Sequence, residues 1–199
     1  MSSLAPTLEA FFTDRLLCQR RVSPNTIASY RDTFRLLLTF ANQKTGTPPA
    51  RLELSHLDAP LIGAFLEHLE TERGNTARTR NIRLAAIHSF FQYCSLRHPE
   101  HAGLIQRVLA IPAKRFDRRI VTFLTPTEVK ALLASPDRTT WAGRRDHTLL
   151  LTAAQTGLRI SELIGLTCGD MQLGTGAHLR AFGKGHKERV APLTSQTVA

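Results

Sequence analysis

Arg159 is the residue of this sequence most clearly placed for chemistry, because its neighbours fix its position. It lies in the string T-G-L-R-I-S-E-L-I-G-L, residues 156–166, which follows a long apolar helical pattern. Gly157 tolerates the left-handed conformation that a helix C-terminus usually needs, and a second short helix is predicted to begin at once. Leu163 and Leu166 can anchor that helix at helical spacing. A guanidinium held in its first turn stays charged at physiological pH and offers a planar fork of donors to two phosphate oxygens.

A second candidate, Lys184, lies at the tip of a predicted hairpin. Residues 177–182 read as a strand, Gly183-Lys184-Gly185 supplies the turn, and residues 189–193 return as a second strand. The ammonium of Lys184 is therefore expected to be exposed, although lysines at such tips are also common surface residues. Lys187 is a nearby alternative for the same role.

Together, the strings T-G-L-R-I-S-E-L-I-G-L and G-K-G-H-K-E-R-V-A-P-L resemble the tyrosine recombinase (phage integrase) family, in particular its Xer-like and transposon-borne bacterial members. The match covers the second half directly, whereas the first half fits the family's helical DNA-clamping domain by pattern. The resemblance implies a mainly α fold with a small antiparallel β-sheet in the second domain. The expected parts are an N-terminal SAM-like four-helix core-binding domain (1–98), a basic linker (99–119) and an incomplete catalytic domain (120–199).

The resemblance also implies a chemistry, the metal-free cleavage of DNA without a cofactor. In the family a tyrosine attacks the phosphate, and the resulting 3′-phosphotyrosyl link stores the bond energy for rejoining. Arg159 matches the first catalytic arginine, which binds a non-bridging oxygen of the scissile phosphate. Lys184 matches the hairpin lysine that protonates the leaving 5′ oxygen. Glu162 matches an acidic position near the pocket, interpreted as orienting its neighbours rather than transferring protons.

After the hairpin, the sequence departs from the family pattern of a His-x-x-Arg helix, a further His or Trp, and a nucleophilic tyrosine. Its two tyrosines, Tyr30 and Tyr93, lie on apolar faces of predicted N-terminal helices, and no histidine or arginine follows Arg189. The chain is therefore expected to be the front part of a recombinase, without cleavage activity by itself. Two functions stay open: site-specific DNA recombination by the family mechanism, or a non-catalytic DNA-binding or regulatory fragment of a mobile element.

The charge balance favours a polyanionic partner. The 199 residues include 26 Lys and Arg against 16 Asp and Glu, which gives a net charge of +10 and a pI near 10.5. Residues 1–98 carry +4 and residues 99–199 carry +6, so both halves could contact one duplex and release its condensed counterions. A basic protein with a solvated surface is the plain alternative. The predicted partner is double-stranded DNA, and the resemblance implies a homo-oligomer of the full-length protein on it.

Four helices are predicted in residues 1–98 from apolar spacing and capping residues. Ser23-Pro24 begins the second, Asp58-Ala59-Pro60 begins the third, and Asn75 or Thr76 caps the fourth. The residues expected to face the core in the first and fourth helices are Leu8, Phe11, Phe12, Leu16, Leu17, Ile82, Ala86, Phe90 and Tyr93.

The start of the fourth helix, the linker and the hairpin carry the candidate contacts to the DNA backbone. Arginine, lysine, asparagine and threonine are good phosphate ligands, although a charged helix face or a solvated charge run would look the same. The candidates are Asn75, Thr76, Arg78, Arg80, Arg83, Lys114, Arg115, Arg118, Arg119 and Lys187.

In the second domain, Thr125-Pro126-Thr127-Glu128 forms a capping box before a helix. Residues 144–156 are predicted to form another helix, with Leu149, Leu150, Leu151 and Ala154 mostly buried. A small antiparallel sheet is expected to span residues 171–193.

Other features argue against a metal site, export and a membrane span. Three widely spaced cysteines lack a C-x-x-C pair, and eight histidines lack metal-ligand spacing. No apolar run approaches the roughly 18 residues of a membrane span, and the N-terminus does not resemble a secretory leader. The expectation is a cytoplasmic, nucleoid-associated bacterial protein.

Overall fold

The computed structural model describes residues 3–117, 122–183 and 188–198. The chain divides into two compact units, Met1–Arg118 and Arg119–Ala199. The first is helical, and the second combines helices with a three-stranded antiparallel sheet. The predicted fold class, mainly α with a small sheet in the second domain, is confirmed.

Over its described residues, 3–117, the first unit contains five α-helices, and the three longest of them are capped as their sequences predict. Ser23, Asp58 and Thr76 each accept the backbone N–H of the residue three positions on, which satisfies a donor that the helix leaves free. Thr76, rather than Asn75, is thus the N-cap of the fourth helix. The bounds are α1 Leu4–Ala10, continued by π-helical turns at Phe11–Gln19, α2 Pro24–Thr45, α3 Ala59–Thr71, α4 Ala77–Arg97 and α5 Ala102–Leu109.

An aromatic cluster centred on Phe11 joins the first, second and fourth helices. The Phe11 ring is fully buried and meets Phe90 edge-on, with 5.4 Å between ring centroids. Phe34 packs against both at 6.2 Å and 5.2 Å, and Tyr30 stacks on Phe11 at 6.3 Å. Edge-on and offset pairs of this kind are favourable beyond the area that they bury.

Two core predictions in this unit are wrong, and each has a geometric reason. Leu17 is 50% exposed, because the π-helical turns bring Phe11 and Leu16, five residues apart, to the core instead. Ile82 is also 50% exposed. The buried stripe of α4 includes Leu84 and its helical neighbours, and Ile82 lies off that stripe.

The predicted linker, residues 99–119, is not a simple connector. Its first part forms α5, which buries Ile105 and Val108 in the core of the helical unit. The part that follows α5 is bonded to α4: Asn81 Nδ2 donates to the Lys114 carbonyl at 2.7 Å, and Lys114 N–H donates to Asn81 Oδ1 at 3.0 Å. Residues 99–117 therefore pack with the helical unit.

The second unit holds a small core between helices and sheet. Leu158, Leu163, Leu179 and Ala181 are its buried residues. The strands are antiparallel in the order β1-β2-β3. The bounds are α6 Pro126–Ala134, α7 Trp141–Thr156, α8 Ile160–Leu163, β1 Met171–Gln172, β2 His178–Phe182, β3 Glu188–Pro192 and α9 Ser195–Val198.

The predicted capping box before α6 is present, whereas the predicted burial of α7 is only partly right. Glu128 Oε2 accepts the Thr125 N–H at 2.7 Å, and Thr125 Oγ1 accepts the Glu128 N–H at 3.3 Å. On α7, Leu151 is buried, but Leu149 and Ala154 are exposed. The small core covers one stripe of this helix and leaves the rest to solvent.

No helix within the described ranges is long and apolar enough to cross a membrane. Across the same residues, no group of three or more His, Cys, Asp or Glu side chains is arranged to hold a metal ion. Cys18 and Cys168 are exposed thiols, and burial raises the pKa of the Cys94 thiol to about 12.

Candidate functional site

The backbone turn between α7 and α8 places Arg159. α7 ends at Gly157, which has φ +60° and donates its N–H to the Ala153 carbonyl at 3.0 Å. A side chain would strain that left-handed conformation, so glycine allows the chain to turn there. Leu158 and Leu163 are buried on either side of the turn and hold it against the core. Arg159 is thereby fixed as the N-cap of α8, one position before the first turn in which the sequence placed it.

Glu162 holds Arg159 at two points. Its Oε2 accepts the backbone N–H of Arg159 at 2.9 Å, which is the return bond of a capping box. Its Oε1 accepts from Nη1 of the Arg159 guanidinium at 2.8 Å. The Glu162 side chain is only 5% exposed, whereas that of Arg159 is 69% exposed. The arginine is therefore fixed at its backbone while most of its guanidinium donors face outward.

The environment of Glu162 keeps its carboxyl ionised. The hydrogen bond from the Arg159 backbone N–H lowers its pKa most, followed by the bond from the guanidinium and the charges of Arg159 and Arg189. At neutral pH the group therefore accepts hydrogen bonds and has no proton to give. Because the folded-state pKa is lowered, its stabilising effect is present above the ordinary pKa of glutamate and is lost as the pH falls through the lowered value.

Arg189 is a third member of this cluster, and the sequence analysis did not single it out. From β3, its Nη2 donates to Glu162 Oε2 at 3.4 Å and to the Gly157 carbonyl at 3.5 Å. A sequence signal was present: Ala181 pairs with Arg189 across the hairpin, so both side chains lie on the same face of the sheet. That face carries the buried Ala181 and Ala191, so strand alternation places the half-exposed Arg189 side chain on the core side of the sheet.

The strands of the predicted hairpin are present on both sides of its tip. β2 and β3 form the predicted hairpin, with Phe182 paired to Glu188. Lys184 and Lys187 lie outside the described residues, as do the linker residues Arg118 and Arg119.

At the start of α4, two of the predicted DNA contacts are accessible. Thr76 and Arg78 are exposed at the first turn of the helix. Asn75 is half-buried, and its Nδ2 has no acceptor among the described residues. The exposed pair lies where backbone N–H groups and the helix dipole favour an anion.

Arg80 is placed differently from its prediction, because it is built into the helical unit. Its side chain is 8% exposed and lies 3.7 Å from the Glu70 carboxylate. Its Nη1 donates to the Pro112 carbonyl at 3.2 Å. Arg80 lies four residues before the buried Leu84, on the core stripe of α4, so it is unavailable to a phosphate in this structure.

Arg83 and the described linker candidates, Lys114 and Arg115, differ in how accessible they are. The Arg83 side chain is 17% exposed and lies 3.9 Å from Asp32. Lys114 donates to Glu70 at 2.7 Å, yet its side chain remains 56% exposed. Arg115 is exposed. The structure therefore brings Arg78, Lys114 and Arg115 to the surface and leaves Arg83 only partly accessible.

Comparison with known proteins identifies the family. Residues 9–98 match the phage integrase N-terminal SAM-like domain, and residues 122–199 match the phage integrase family. The chain is 60% identical to the predicted integrase/recombinase y4rC of Sinorhizobium fredii, covering 100% of this chain and 60% of that protein. It is 47% identical to y4rD of the same organism, covering 96% of this chain and 68% of that protein. The chain belongs to the phage integrase family of tyrosine recombinases.

A solved structure shows the same fold. The XerH site-specific recombinase, in its post-cleavage complex with palindromic difH substrate, superposes with a TM-score of 0.63 and 20% sequence identity. The match covers 90% of this chain and 51% of that chain. The present chain thus spans about half of the XerH chain and 60% of y4rC.

Proposed function

We propose that the whole protein carries out site-specific DNA recombination, by metal-free strand cleavage and rejoining through a phosphotyrosine intermediate. Within it, residues 1–199 grip duplex DNA and present Arg159 to the scissile phosphate. The observation that carries this proposal is the geometry of Arg159, whose backbone is fixed by Glu162 while its guanidinium is 69% exposed. A guanidinium that is preorganised in this way stabilises charge on phosphoryl oxygens without reorganising during the reaction.

The proposed reaction needs no cofactor, because each bond that breaks is replaced by one that forms. A tyrosine hydroxyl releases its proton to solvent, and its oxygen forms a bond to phosphorus as the bond from phosphorus to the 5′ oxygen breaks. Arg159 neutralises charge on a non-bridging oxygen, and Lys184 gives its proton to the departing 5′ oxygen. Glu162 orients Arg159 and transfers no proton. Attack by a 5′ hydroxyl on the phosphotyrosine reverses the step and rejoins the strand.

A second function, non-catalytic DNA binding, is favoured for residues 1–199 alone by the positions of their tyrosines. Tyr30 and Tyr93 both lie in the helical unit, and Tyr93 is buried with a raised pKa caused mainly by desolvation. A buried phenol that resists ionisation is unsuited to attack a phosphate. For the 199-residue chain alone we therefore propose DNA binding without cutting, with the nucleophile supplied by another part of the protein.

The proposed partner is double-stranded DNA, contacted by both units. The exposed Thr76, Arg78, Lys114 and Arg115 are the proposed backbone contacts of the helical unit. The sequence predictions of Lys187, Arg118 and Arg119 as further contacts stay predictions. The full-length protein is proposed to act as a homo-oligomer on DNA, in the bacterial cytoplasm and associated with the nucleoid.

Binding to duplex DNA should weaken steeply with salt. Each phosphate that a basic side chain neutralises contributes a slope of roughly −0.9 to the plot of log affinity against log salt. We expect Arg78→Ala to reduce the magnitude of that slope by about one, because it removes one phosphate contact. Fluorescence anisotropy with a labelled duplex, repeated over a series of salt concentrations, measures both quantities. A flat salt response would contradict DNA gripping by this chain.

Arg80→Ala is the matched control on the same helix. It removes the same charge, together with the ion pair to Glu70 and the hydrogen bond to the Pro112 carbonyl, at a cost of about 1–3 kcal/mol in stability. The Glu70 carboxylate keeps its bond to Lys114. The salt slope should stay unchanged under conditions where the variant is folded, as judged by circular dichroism. If Arg80→Ala lowered the slope and Arg78→Ala did not, the assignment of these two arginines would be reversed.

A further inference from the structure

Arg189 connects three segments that have to be aligned for Arg159 to work. Its guanidinium, on β3, reaches the carbonyl at the C-terminal end of α7 and the carboxylate on α8. Carbonyls at the end of a helix lack a partner within the helix, so the bond to Gly157 satisfies a group that would otherwise need water. The same guanidinium therefore fastens the hairpin to the turn that carries Arg159.

The carboxylate of Glu162 is shared between two arginines. Its Oε1 is bonded to the Arg159 side chain, and its Oε2 accepts both the Arg159 N–H and Arg189 Nη2. The two guanidiniums therefore bind different oxygens of the same carboxylate. The side chain of Glu162 is 5% exposed, so water cannot readily replace a lost partner.

Charge gives Arg189 a second effect on the same site. A lone Arg159–Glu162 pair would be neutral, and its carboxylate would repel a phosphate placed beside it. With Arg189 included, the cluster of two guanidiniums and one carboxylate carries a net charge of +1. A positive cluster attracts a phosphate oxygen, whereas a neutral pair does so weakly.

We infer that Arg189 is a positioning residue, which holds the Glu162 carboxylate and thereby sets how Arg159 presents its guanidinium to DNA. The inference rests on the proposed function of Arg159 as a phosphate ligand. Arg189 acts through Glu162 and is not assigned a contact with the reacting atoms. The bonds between Arg159 and Glu162 lie within one helical turn. The bond from Arg189 to Glu162 instead joins residues that are distant in the sequence.

The first test observes Arg159 directly in the 199-residue chain. With ¹⁵N-labelled arginine, NMR reports whether the guanidinium of Arg159 rotates freely or is held. We expect a held guanidinium in the parent chain and a freely rotating one in Arg189→Gln. Arg180→Gln is the control, because it removes the same charge from the opposite face of the same sheet. It should leave the Arg159 signals unchanged. Unchanged Arg159 signals in Arg189→Gln would overturn the inference.

The second test measures coupling in DNA binding. We expect Arg159→Ala to weaken binding to a duplex about tenfold in the parent chain and only about twofold in the Arg189→Gln background, because coupled residues are not additive. Arg189→Lys, which keeps the charge but lacks the planar fork, should recover part of the difference. A loss of about tenfold on Arg159→Ala in both backgrounds would overturn the inference.

The outcomes separate this inference from the proposed function. If Arg159→Ala left DNA binding unchanged in the parent chain, the phosphate-binding role of Arg159 would fail, and with it the functional part of the inference. The NMR result would still decide whether Arg189 positions Glu162 and Arg159.

Should Arg189→Gln fail to fold, both measurements are made on Arg189→Lys. A positioning role predicts that the Arg159 guanidinium is partly freed in this variant. A guanidinium held as in the parent chain would overturn the inference.

Discussion

Replacing Arg159 with alanine is expected to lower strand cleavage by a factor of about 10²–10³, the usual loss when one preorganised donor to a developing oxyanion is removed. Because the proposed nucleophile lies outside residues 1–199, these residues would be joined to the portion of y4rC that their similarity does not cover. Covalent protein–DNA adducts on a suicide duplex, resolved on a denaturing gel, report the rate. Binding should fall far less than cleavage, because the remaining basic residues still grip the duplex.

Arg180→Ala is the matched control for this experiment. It removes an exposed arginine from β2 in the same unit, and the buried neighbours Leu179 and Ala181 direct it away from Glu162. We expect cleavage close to that of the parent chimera. If the two variants lost activity equally, charge alone would explain the result and the catalytic role of Arg159 would be wrong.

Phe90→Ala is expected to destabilise the helical unit by about 3–5 kcal/mol, since a large buried ring is replaced by a cavity. Phe90 is fully buried and contacts the rings of Phe11, Phe34 and Phe91. Such a loss is a large part of the stability of an ordinary domain, and DNA binding by this unit should be lost with its fold. Urea unfolding followed by circular dichroism measures the change.

Leu96→Ala provides the control on the same helix. Leu96 is 80% exposed, so its truncation should change the free energy of unfolding by no more than about 0.5 kcal/mol. Comparable losses for Phe90→Ala and Leu96→Ala would contradict the packing around Phe11.

The sequence allows prediction of those contacts of the site that join residues close together in the chain. Arg159 and Glu162 lie three residues apart, so helical geometry alone brings the carboxylate back to the N-cap. Arg189 lies 27 residues from Glu162, and their contact exists only after the hairpin packs on α8. Strand alternation could have indicated the inward face of Arg189, but not which carboxylate it meets.

The arginines of α4 show why charge spacing alone misassigned Arg80. On a helix, residues 78 and 80 point to nearly opposite sides, so both cannot lie on one exposed face. Residue 80 shares its side with Leu84 and Ile87, which are buried. Because α4 is packed against α2, α3 and α5, even a charged residue on that side is enclosed and must find partners within the protein.

The first part of the predicted linker contains a helix, α5, which its apolar spacing indicates. Leu104, Ile105, Val108 and Leu109 recur at helical spacing and predict a short amphipathic helix. Such a helix is too short to be stable alone, and its burial against α4 and α3 stabilises it. That tertiary contact is not visible in the local sequence.

The most direct test of the central claim, that the Arg159 guanidinium binds a DNA phosphate, is an NMR titration of the ¹⁵N-arginine-labelled chain with duplex DNA. Bound DNA should shift the guanidinium signals of Arg159 and slow the exchange of its protons with water, while those of Arg180 stay unchanged. If the signals of Arg78 shifted on saturation with DNA and those of Arg159 did not, the chain would bind DNA without using Arg159, and the claim would be wrong.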